Sequence, residues 1–383
     1  MVTTETIGIS LRRASSLSWS NQTTLPLALY LLRLIPTRYA FLFVILAAFT
    51  DCTAFEFTDP LPPFTQVSIN SGARPINSSL AWADGEYGIA WENEYNCDGV
   101  YDCYNLGINF RRISADGALP GPEIPIVPSD SRDFYDPSLA WTGNGYGLAC
   151  DDAYGLYFQL ISLDGDLISP LIPVTSWDNF TASNHPSLVW AGAEFGVAWE
   201  ARPSGFVDPF YTDICFQRIA ANAELVESTV CITNDGDSVN PSLVWTGSGF
   251  GVSWDGGYES GVYLQRLSPT GTILGSAVCV TANGEPASSS LIWAGNRYEI
   301  SWDTYYSDYP DGNYRIRGRS ISPNGEPGRF RNVFISDGWS DTANLVNHSL
   351  VWTGNEVGAS WYYQSYMNGS VGNIYFAHFA DED

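Results

Sequence analysis

The hydrophobic positions of the chain recur in six copies of one short pattern. Each copy contains Ser-Leu-x-Trp near its start, and a second aromatic segment follows after a Gly-containing turn. Alternating apolar and polar positions on both sides of a tight turn are typical of a β-hairpin. The pattern therefore predicts two strands per copy, which we call strands A and B. The copies occupy 77–92, 136–151, 185–200, 240–255, 288–303 and 347–362.

Two further strands follow strand B in most copies. The third, strand C, has patterns such as INFRRIS at 108–114 and VYLQRLS at 262–268. A turn then leads to strand D, as in VCVTAN at 278–283. Equivalent Ser residues are 48 to 59 residues apart, which matches propeller blades with loop insertions. We therefore predict an all-β fold, a six-bladed β-propeller of four-stranded antiparallel blades.

The two ends of the repeat region predict how the ring closes. The sixth copy stops after its C strand, at Asp383, whereas residues 66–72 match the D-strand pattern and precede the first copy. A closed ring leaves no unpaired sheet edge. We therefore predict that the last blade combines 347–383 with 64–71, so that an N-terminal strand completes it.

The repeat resembles the PSLVWTG…GVAW…IYF repeat proteins among the predicted exported proteins and lipoproteins of myxobacteria-like bacteria. The resemblance covers about 320 residues, 64–383, and implies the propeller architecture. It implies little about function, because propellers carry many activities.

The first 52 residues predict a targeting segment. Arg33 and Arg38 precede an apolar run at 39–50, which is too short to span a bilayer but suits a signal peptide. Cys52 follows the run where a bacterial lipoprotein carries its lipidated Cys. Lipid attachment, simple secretion and an uncleaved anchor all remain open. We assign 1–52 to a signal segment that could include a long leader, 53–63 to a linker and 64–383 to the propeller.

Charge excludes some partners. The 17 basic residues are all Arg, against 42 acidic residues, and the net charge is −25. Such a surface repels phosphate backbones and anionic headgroups. We therefore expect no nucleic-acid binding, and membrane contact only through the N-terminal segment or a lipid anchor. We expect a secreted or envelope-attached monomer.

The cysteines suggest disulfide bonds and argue against zinc. Cys97 and Cys103 lie in one loop at an easy distance for a disulfide in an oxidising compartment. Cys215 and Cys231 could face each other across a hairpin, whereas Cys279 has no obvious mate. Neither CxxC nor a Cys/His zinc spacing occurs.

Two sets of polar residues recur where the A and B strands reach one face of the propeller, around the axial channel. One set precedes Ser-Leu-x-Trp: Asn77, Asp136, His185, Asn240, Ser288 and Asn347. The other set ends strand B: Glu92, Asp151, Glu200, Asp255 and Asp303, with Tyr362 in the sixth copy. Such residues either cap the backbone locally or form a binding site.

The loops that join strand B to strand C differ most between copies and reach the same face. They are rich in Tyr, Asp and Asn, and the candidate ligand-binding tyrosines are Tyr305, Tyr306, Tyr309, Tyr362 and Tyr363. Aromatic faces beside carboxylates and amides suit sugar rings, and Tyr is also enriched at protein interfaces.

These features predict a non-enzymatic binding protein that recognises a glycan or an envelope protein through the face of its B-to-C loops. Only three His occur, and spacing nominates no catalytic triad. The Ser-x-Asp-Gly turns are similar to the Asp-box of sialidases but lack its spacing and Trp. The alternatives are a calcium-dependent hydrolase at the channel mouth, where oxygen ligands suit a hard cation, and a purely structural envelope scaffold. No other cofactor is predicted.

Overall fold

Every regular element in the described part of the chain is a β-strand. The computed structural model describes residues 66–68, 73–95, 104–127, 133–152, 155–176, 179–204, 211–256, 261–281, 285–306, 313–335, 343–365 and 371–380. Within these ranges no helix has the length and apolar character that crossing a membrane requires. The strands form six antiparallel sheets, five with four strands and the last with three. The predicted six-bladed β-propeller is thereby confirmed.

Each blade runs in chain order from its innermost to its outermost strand. Blade one contains β1 (Ala73–Trp82), β2 (Glu86–Tyr95), β3 (Tyr104–Ser114) and β4 (Ile124–Val127). Blade two contains β5 (Tyr135–Trp141), β6 (Gly145–Asp151), β7 (Leu156–Ser162) and β8 (Ile172–Pro173). Blade three contains β9 (Phe180–Trp190), β10 (Glu194–Pro203), β11 (Asp213–Ala220) and β12 (Leu225–Cys231). Blade four contains β13 (Ser238–Trp245), β14 (Phe250–Gly256), β15 (Gly261–Leu267) and β16 (Ile273–Cys279). Blade five contains β17 (Glu285–Trp293), β18 (Tyr298–Tyr306), β19 (Asn313–Ile321) and β20 (Pro327–Ile335). Blade six contains β21 (Ala343–Trp352), β22 (Glu356–Ser365) and β23 (Val371–Ala380).

Each innermost strand is irregular just before its Ser-Leu-x-Trp sequence. In β1, for example, the pairing register shifts between Ile76 and Ser79. A residue at this bulge adopts a left-handed backbone in five blades, with φ of 44° to 54°: Asn77, Asp136, His185, Asn240 and Ser288. Asn, Asp and His are the side chains that tolerate positive φ best, which explains much of the choice of residue. A bulge of this kind turns a side chain out of its regular alternation.

The repeated Ser joins neighbouring blades. Its Oγ accepts a hydrogen bond from the backbone N–H of the Leu in the next blade, at 2.9 to 3.3 Å. The bond recurs at five joints: Ser79 to Leu139, Ser138 to Leu188, Ser187 to Leu243, Ser242 to Leu291 and Ser290 to Leu350. The Ser is therefore repeated because it bonds across the joint between blades.

A glycine and an aromatic ring fill the apolar part of a joint. A Cβ atom on Gly196 in blade three would lie 2.6 Å from the Phe250 ring of blade four. The same ring lies 4.9 Å from that of Phe216, and all three residues are buried. Gly88, Gly147 and Gly251 likewise face a ring of the following blade. The absence of a side chain at these positions lets the blades approach each other closely.

The two Trp of a repeat are buried to different extents. The second Trp is at most 4% exposed in the five blades that have it: Trp91, Trp199, Trp254, Trp302 and Trp361. The first Trp is only partly buried. In the first five blades its ring packs edge-on or tilted against an aromatic ring of its own blade, as Trp245 does on Phe250 at 4.7 Å. The second Trp therefore belongs to the core more fully than the first.

A disulfide bond joins Cys215 to Cys231, which face each other in β11 and β12. This is the hairpin pairing that the sequence allowed. The pairing of Cys97 with Cys103 and the lipidation of Cys52 concern residues outside the described ranges, and both stay predictions. The same holds for the proposed signal segment 1–52 and linker 53–63.

Closure by residues 64–71 also stays a prediction, because only Gln66–Ser68 of this segment is described. Arg111 of β3 donates from Nη1 to the Val67 carbonyl at 2.6 Å. In blade five, Arg319 donates from Nη1 to the carbonyl of Val280, which follows the outermost strand of blade four, at 2.8 Å. Val67 therefore has the same position relative to blade one that Val280, beside the outermost strand of blade four, has relative to blade five. This position supports the predicted closure.

The joint between blades six and one is less complete than the other five. In the described residues Ser349 makes no bond to Leu80, and Leu80 is 58% exposed. Its equivalents in the other blades are at most 9% exposed: Leu139, Leu188, Leu243, Leu291 and Leu350.

The sequence of blade six nevertheless fits blade one. Glu299 of blade five occupies the glycine position of the joint, and the next blade has the smaller Val357 in place of a ring. Blade six returns to Gly358, and the ring that would face it is Tyr87 of blade one. Glu299 therefore replaces the glycine at the one joint where Val357 replaces the aromatic ring, and without that ring the joint does not need a residue that lacks a side chain.

We predict that Gly196→Ala lowers the free energy of unfolding by about 1–3 kcal/mol, because the new methyl group overpacks the joint against Phe250. Urea denaturation measures the change. Gly121→Ala is the matched control, since nothing lies within 4 Å of a Cβ atom there. Equal effects of the two substitutions would contradict the proposed packing.

We also predict that Gly358→Ala destabilises the fold by about 1–3 kcal/mol because it meets Tyr87 in the closed ring. Combining it with Tyr87→Val should restore part of the loss, since the pair would then resemble Glu299 and Val357. Thermal and urea unfolding of the single and double variants measure the coupling. A neutral Gly358→Ala substitution would mean that blade six does not pack on blade one in this way.

Candidate functional site

The five left-handed residues surround one cavity on the propeller axis. The cavity has a volume of about 630 Å³. Its lining consists of each bulge residue and the residue after it: Asn77, Ser78, Asp136, Pro137, His185, Pro186, Asn240, Pro241, Ser288 and Ser289. The structure thus brings together four of the predicted site residues and Ser288. Asn347 has the equivalent position in β21, and its side chain lies outside the described part.

The carboxylates that the sequence placed at the end of strand B are buried behind this lining, and most of them lie one to three residues before the end of the strand. Their exposed fractions are at most 7%: Glu92, Asp151, Glu200, Asp255 and Asp303. Glu92 Oε1 accepts the backbone N–H of Asp136 in the next blade at 2.6 Å. Glu200 Oε1 accepts the N–H of Asn240 at 2.7 Å. These carboxylates therefore hold the bulge of the following blade, which is a longer-range role than local capping.

Side-chain amides extend these contacts along the lining. Asn77 donates from Nδ2 to Glu92 Oε1 at 2.9 Å and to Asp136 Oδ1 at 3.4 Å. Asn240 donates from Nδ2 to Asp255 Oδ2 at 3.1 Å. The polar groups of the cavity are therefore held in place before any ligand arrives.

His185 lies between two carboxylates from neighbouring blades. Its Nδ1 is 3.0 Å from Glu200 Oε1, and its Nε2 is 3.4 Å from Asp136 Oδ2. The hydrogen bond to Glu200 raises the pKa of His185 to about 9, with smaller contributions from the charges of Glu200 and Asp136. The imidazolium is therefore present at neutral pH, and its charge is matched by carboxylates. About half of the side chain, 52%, remains exposed.

Burial disfavours the charge on three of the acids. It raises the pKa values of Asp136 and Asp255, and it raises that of Asp303 to about 7. Oδ1 of Asp255 and Oδ1 of Asp303 have no hydrogen-bond partner among the described residues. A buried acceptor without a donor costs about 1–3 kcal/mol, so these two oxygens are an unusual feature of the site.

His348 is a further buried titratable group that the sequence pattern did not single out as functional. It follows Asn347, where the other blades have Pro or Ser, and it is 9% exposed. Burial lowers its pKa to about 4, so it is neutral at neutral pH. The only signal in the sequence was the change of residue type at a repeated position.

The acids do not assemble into a metal centre in the part of the chain that is described. There, no group of three or more His, Cys, Asp or Glu side chains has an arrangement that could hold a metal ion. The second-strand carboxylates come one from each of the first five blades, and Asp136 and Glu200 already contact His185. The geometry therefore offers no support for the calcium-dependent alternative.

The predicted loop tyrosines lie partly in strands. Tyr305 and Tyr306 end β18, where they pair with Tyr314 and Asn313. Tyr362 and Tyr363 lie within β22. The interpretation of these four as loop residues was wrong, because β-favouring aromatic residues extend the hairpins by several residues. Their side chains and all of Tyr309 lie outside the described part, so their role in binding stays a prediction.

Comparison with known proteins identifies the architecture and no family. No protein-family model matches the chain, and no curated protein matches it. Solved structures do match. The chain shares its fold with neuraminidase-type six-bladed propellers.

Three solved structures illustrate this likeness. A protein of unknown function from Dyadobacter fermentans has a TM-score of 0.56 and 14% identity, over 81% of this chain and 96% of that one. The hemagglutinin-neuraminidase ectodomain of parainfluenza virus 5 has a TM-score of 0.53 and 9% identity, over 94% and 96%. Trypanosoma rangeli sialidase in complex with sialic acid has a TM-score of 0.51 and 10% identity, over 86% and 57%. Such low identities establish the fold alone.

We predict that Asp303→Asn stabilises the protein at pH 8 and has little effect at pH 4. The folded protein holds the Asp303 proton up to about pH 7, whereas the ordinary pKa is 3.8. The folded state therefore binds more protons between these values, and stability falls as the pH rises through them. Asn cannot ionise and avoids this loss.

Thermal unfolding at pH 4, 6 and 8 measures this effect. Asp166→Asn is the control, because Asp166 is exposed and should leave the pH profile of the parent unchanged. A difference in Tm between parent and Asp303→Asn that is the same at every pH would contradict the prediction.

Proposed function

We propose that this chain is a non-enzymatic binding propeller that recognises a glycan in the axial cavity. The observation that carries the proposal is the ring of amide, carboxylate, imidazole and hydroxyl groups from five blades around about 630 Å³. Small-ligand sites commonly have volumes of about 300–1,000 Å³. Planar groups that both donate and accept suit the closely spaced hydroxyls of a sugar.

Preorganisation supports binding at this place. The ring side chains are held by the carboxylates behind them, so a ligand would order few groups on arrival. The B-to-C segments belong to the same face, and their tyrosines are suited to stacking on sugar rings. A protein partner remains the alternative for that outer surface.

Two of the structural neighbours are named for sugar chemistry. One is a hemagglutinin-neuraminidase, and another is a sialidase with sialic acid bound. Their titles concern those proteins only, and they make glycans the first class of ligand to test for this one.

The imidazole and carboxyl groups of the cavity favour binding over catalysis. Both ring nitrogens of His185 face carboxylates, so neither is free to act as a general base. A hydrolase of the nucleophile–histidine type would need such a base beside its nucleophile. The purely structural scaffold remains an alternative that a lack of glycan binding would favour.

An extracytoplasmic location fits the same proposal. Disulfides such as Cys215–Cys231 persist in oxidising compartments and are rare in the cytosol. We propose that the protein is secreted or attached to the cell envelope, with a lipid anchor at Cys52 as one route of attachment.

We predict that the protein exported by a bacterial host binds a subset of glycans on an array, and that Asn77→Gly with Asn240→Gly weakens this binding at least about ten-fold. Glycine keeps the left-handed backbone and removes the two amides. Loss of two hydrogen bonds of about 1 kcal/mol each corresponds to that factor or more. Calorimetry with the best array ligand measures the change.

Asp84→Gly is the matched control for this pair. Asp84 also has positive φ, 45°, but it lies in the exposed turn between β1 and β2. It should leave affinity unchanged. Absence of any glycan ligand, or equal affinity in the double variant, would reject the proposed site, and release of a shortened sugar would instead indicate a hydrolase.

A further inference from the structure

Most N–H donors on the side chains of the cavity lining are already used by the protein. Asn77 donates from Nδ2 to two carboxylates, those of Glu92 and Asp136. Both ring nitrogens of His185 also face carboxylates, at 3.0 and 3.4 Å. A ligand could therefore use these N–H groups only by displacing a bond that the protein already makes.

The backbone of the lining adds few further donors. Three lining residues are prolines, which have a carbonyl oxygen but no N–H: Pro137, Pro186 and Pro241. The backbone N–H groups of Asp136 and Asn240 donate to Glu92 and Glu200 of the preceding blades. None of these five positions therefore offers a ligand a free backbone N–H.

Acceptors remain free on the same lining. Asn77 and Asn240 are bonded through Nδ2, and neither amide oxygen makes a hydrogen bond among the described residues. Asn77 is exposed and Asn240 is partly exposed. The amide of Asn240 keeps one N–H, but each amide oxygen has two lone pairs, so on these two side chains acceptor sites outnumber free donors.

The lining also lacks the groups that bind acids. Neither Arg nor Lys occurs among its described residues. Proteins recognise carboxylate, sulfate and phosphate groups with charged donors such as a guanidinium, or with several N–H groups. His185 is the one cation on the described lining, and two carboxylates already offset its charge. An acidic group on a sugar would therefore find no free cationic partner here.

We infer that the ligand of the axial cavity is a neutral glycan whose hydroxyl groups donate hydrogen bonds to the amide oxygens of Asn77 and Asn240. This inference rests on the proposed glycan-binding function and names the class of sugar and the direction of its hydrogen bonds. A sugar hydroxyl suits these oxygens because it supplies a donor without a charge. The oxygens are held in place because the Nδ2 end of each amide is bonded to a carboxylate.

Matched pairs of glycans test the preference for neutral sugars. The intact exported protein is applied to an array on which acidic glycans stand beside neutral ones with the same core. Lactose with sialyllactose and sulfolactose is one such set, and xylotetraose with and without a glucuronic acid branch is another. We expect the neutral member of any set that binds to have at least ten-fold higher affinity than its acidic counterpart, measured by calorimetry.

The outcomes of the array separate this inference from the proposed function. Equal or tighter binding of the acidic members would overturn the inference and keep glycan binding. No binding of any glycan would reject the proposed function itself.

Single-hydroxyl derivatives test the direction of the hydrogen bonds. The neutral glycan that binds most tightly on the array is compared with derivatives in which one hydroxyl at a time becomes a methoxy group or a fluorine. A methoxy oxygen accepts but cannot donate, and fluorine is small and cannot donate either. We expect at least one hydroxyl at which both replacements weaken binding about ten-fold, the effect of losing a hydrogen bond. Full affinity of the methoxy or the fluoro derivative at every position would overturn the inference.

Ser78→Arg tests whether the missing donors set the preference. Ser78 lines the cavity and is exposed, and Arg adds N–H donors with a positive charge that suit an acidic group. The affinity for an acidic glycan relative to its neutral counterpart should rise at least ten-fold. Thermal unfolding with a Tm close to that of the parent shows that the variant is folded.

Ser248→Arg is the matched control for this variant. It makes the same substitution in the exposed turn after β13, at the other end of this strand from Asn240. The relative affinity should stay at the value of the parent, which excludes a general effect of added charge. An unchanged relative affinity in folded Ser78→Arg, or an equal rise in both variants, would overturn the inference.

Discussion

The hydrogen bond between a second-strand carboxylate and the backbone of the next blade is the contact on which the centre of this propeller depends. It fixes a bulge in which a residue other than glycine adopts positive φ, as in the bond from Asp136 N to Glu92. Left-handed backbone costs such residues about 1–2 kcal/mol, so it persists only where neighbouring structure determines it. At Asp136 and Asn240 the preceding blade supplies the determinant, and both side chains line the axial cavity.

This arrangement explains why the joints are built in two layers. Near the axis, polar bonds set the direction of the ring side chains. Farther out, Gly196 and Phe250 represent an apolar layer in which a missing side chain admits a ring from the next blade. The apolar layer provides close packing, and the polar layer provides a fixed geometry at the cavity. A site built in this way has rigid groups even though it is made of short strand segments from separate blades.

The sequence predicted the propeller because Ser-Leu-x-Trp and its hairpin repeat six times, and it predicted the ring because polar residues recur at the same position before each Ser-Leu-x-Trp. It did not predict the contacts of that ring. The partners of His185 are 49 residues before it and 15 residues after it. Glu200 lies on the next strand of the same blade, but only the packing of blade two on blade three brings Asp136 to His185. The inter-blade role of Ser79 was hidden for the same reason, since its partner Leu139 is 60 residues away.

The sixth blade departs from the repeat at positions around the axial cavity, and this makes the cavity asymmetric. The first five blades have an acid in the last part of their second strand, whereas the sixth has Tyr362 at that position and His348 in place of Pro or Ser after the bulge. His348 is neutral because burial lowers its pKa, so blade six adds no charge of its own there. A ring of six identical positions would bind a ligand without orienting it. An arc of five acids that is interrupted by an aromatic position gives the cavity a charged side and a less charged side. A ligand with a hydrogen-bonding edge and an apolar face can bind such a cavity in one orientation.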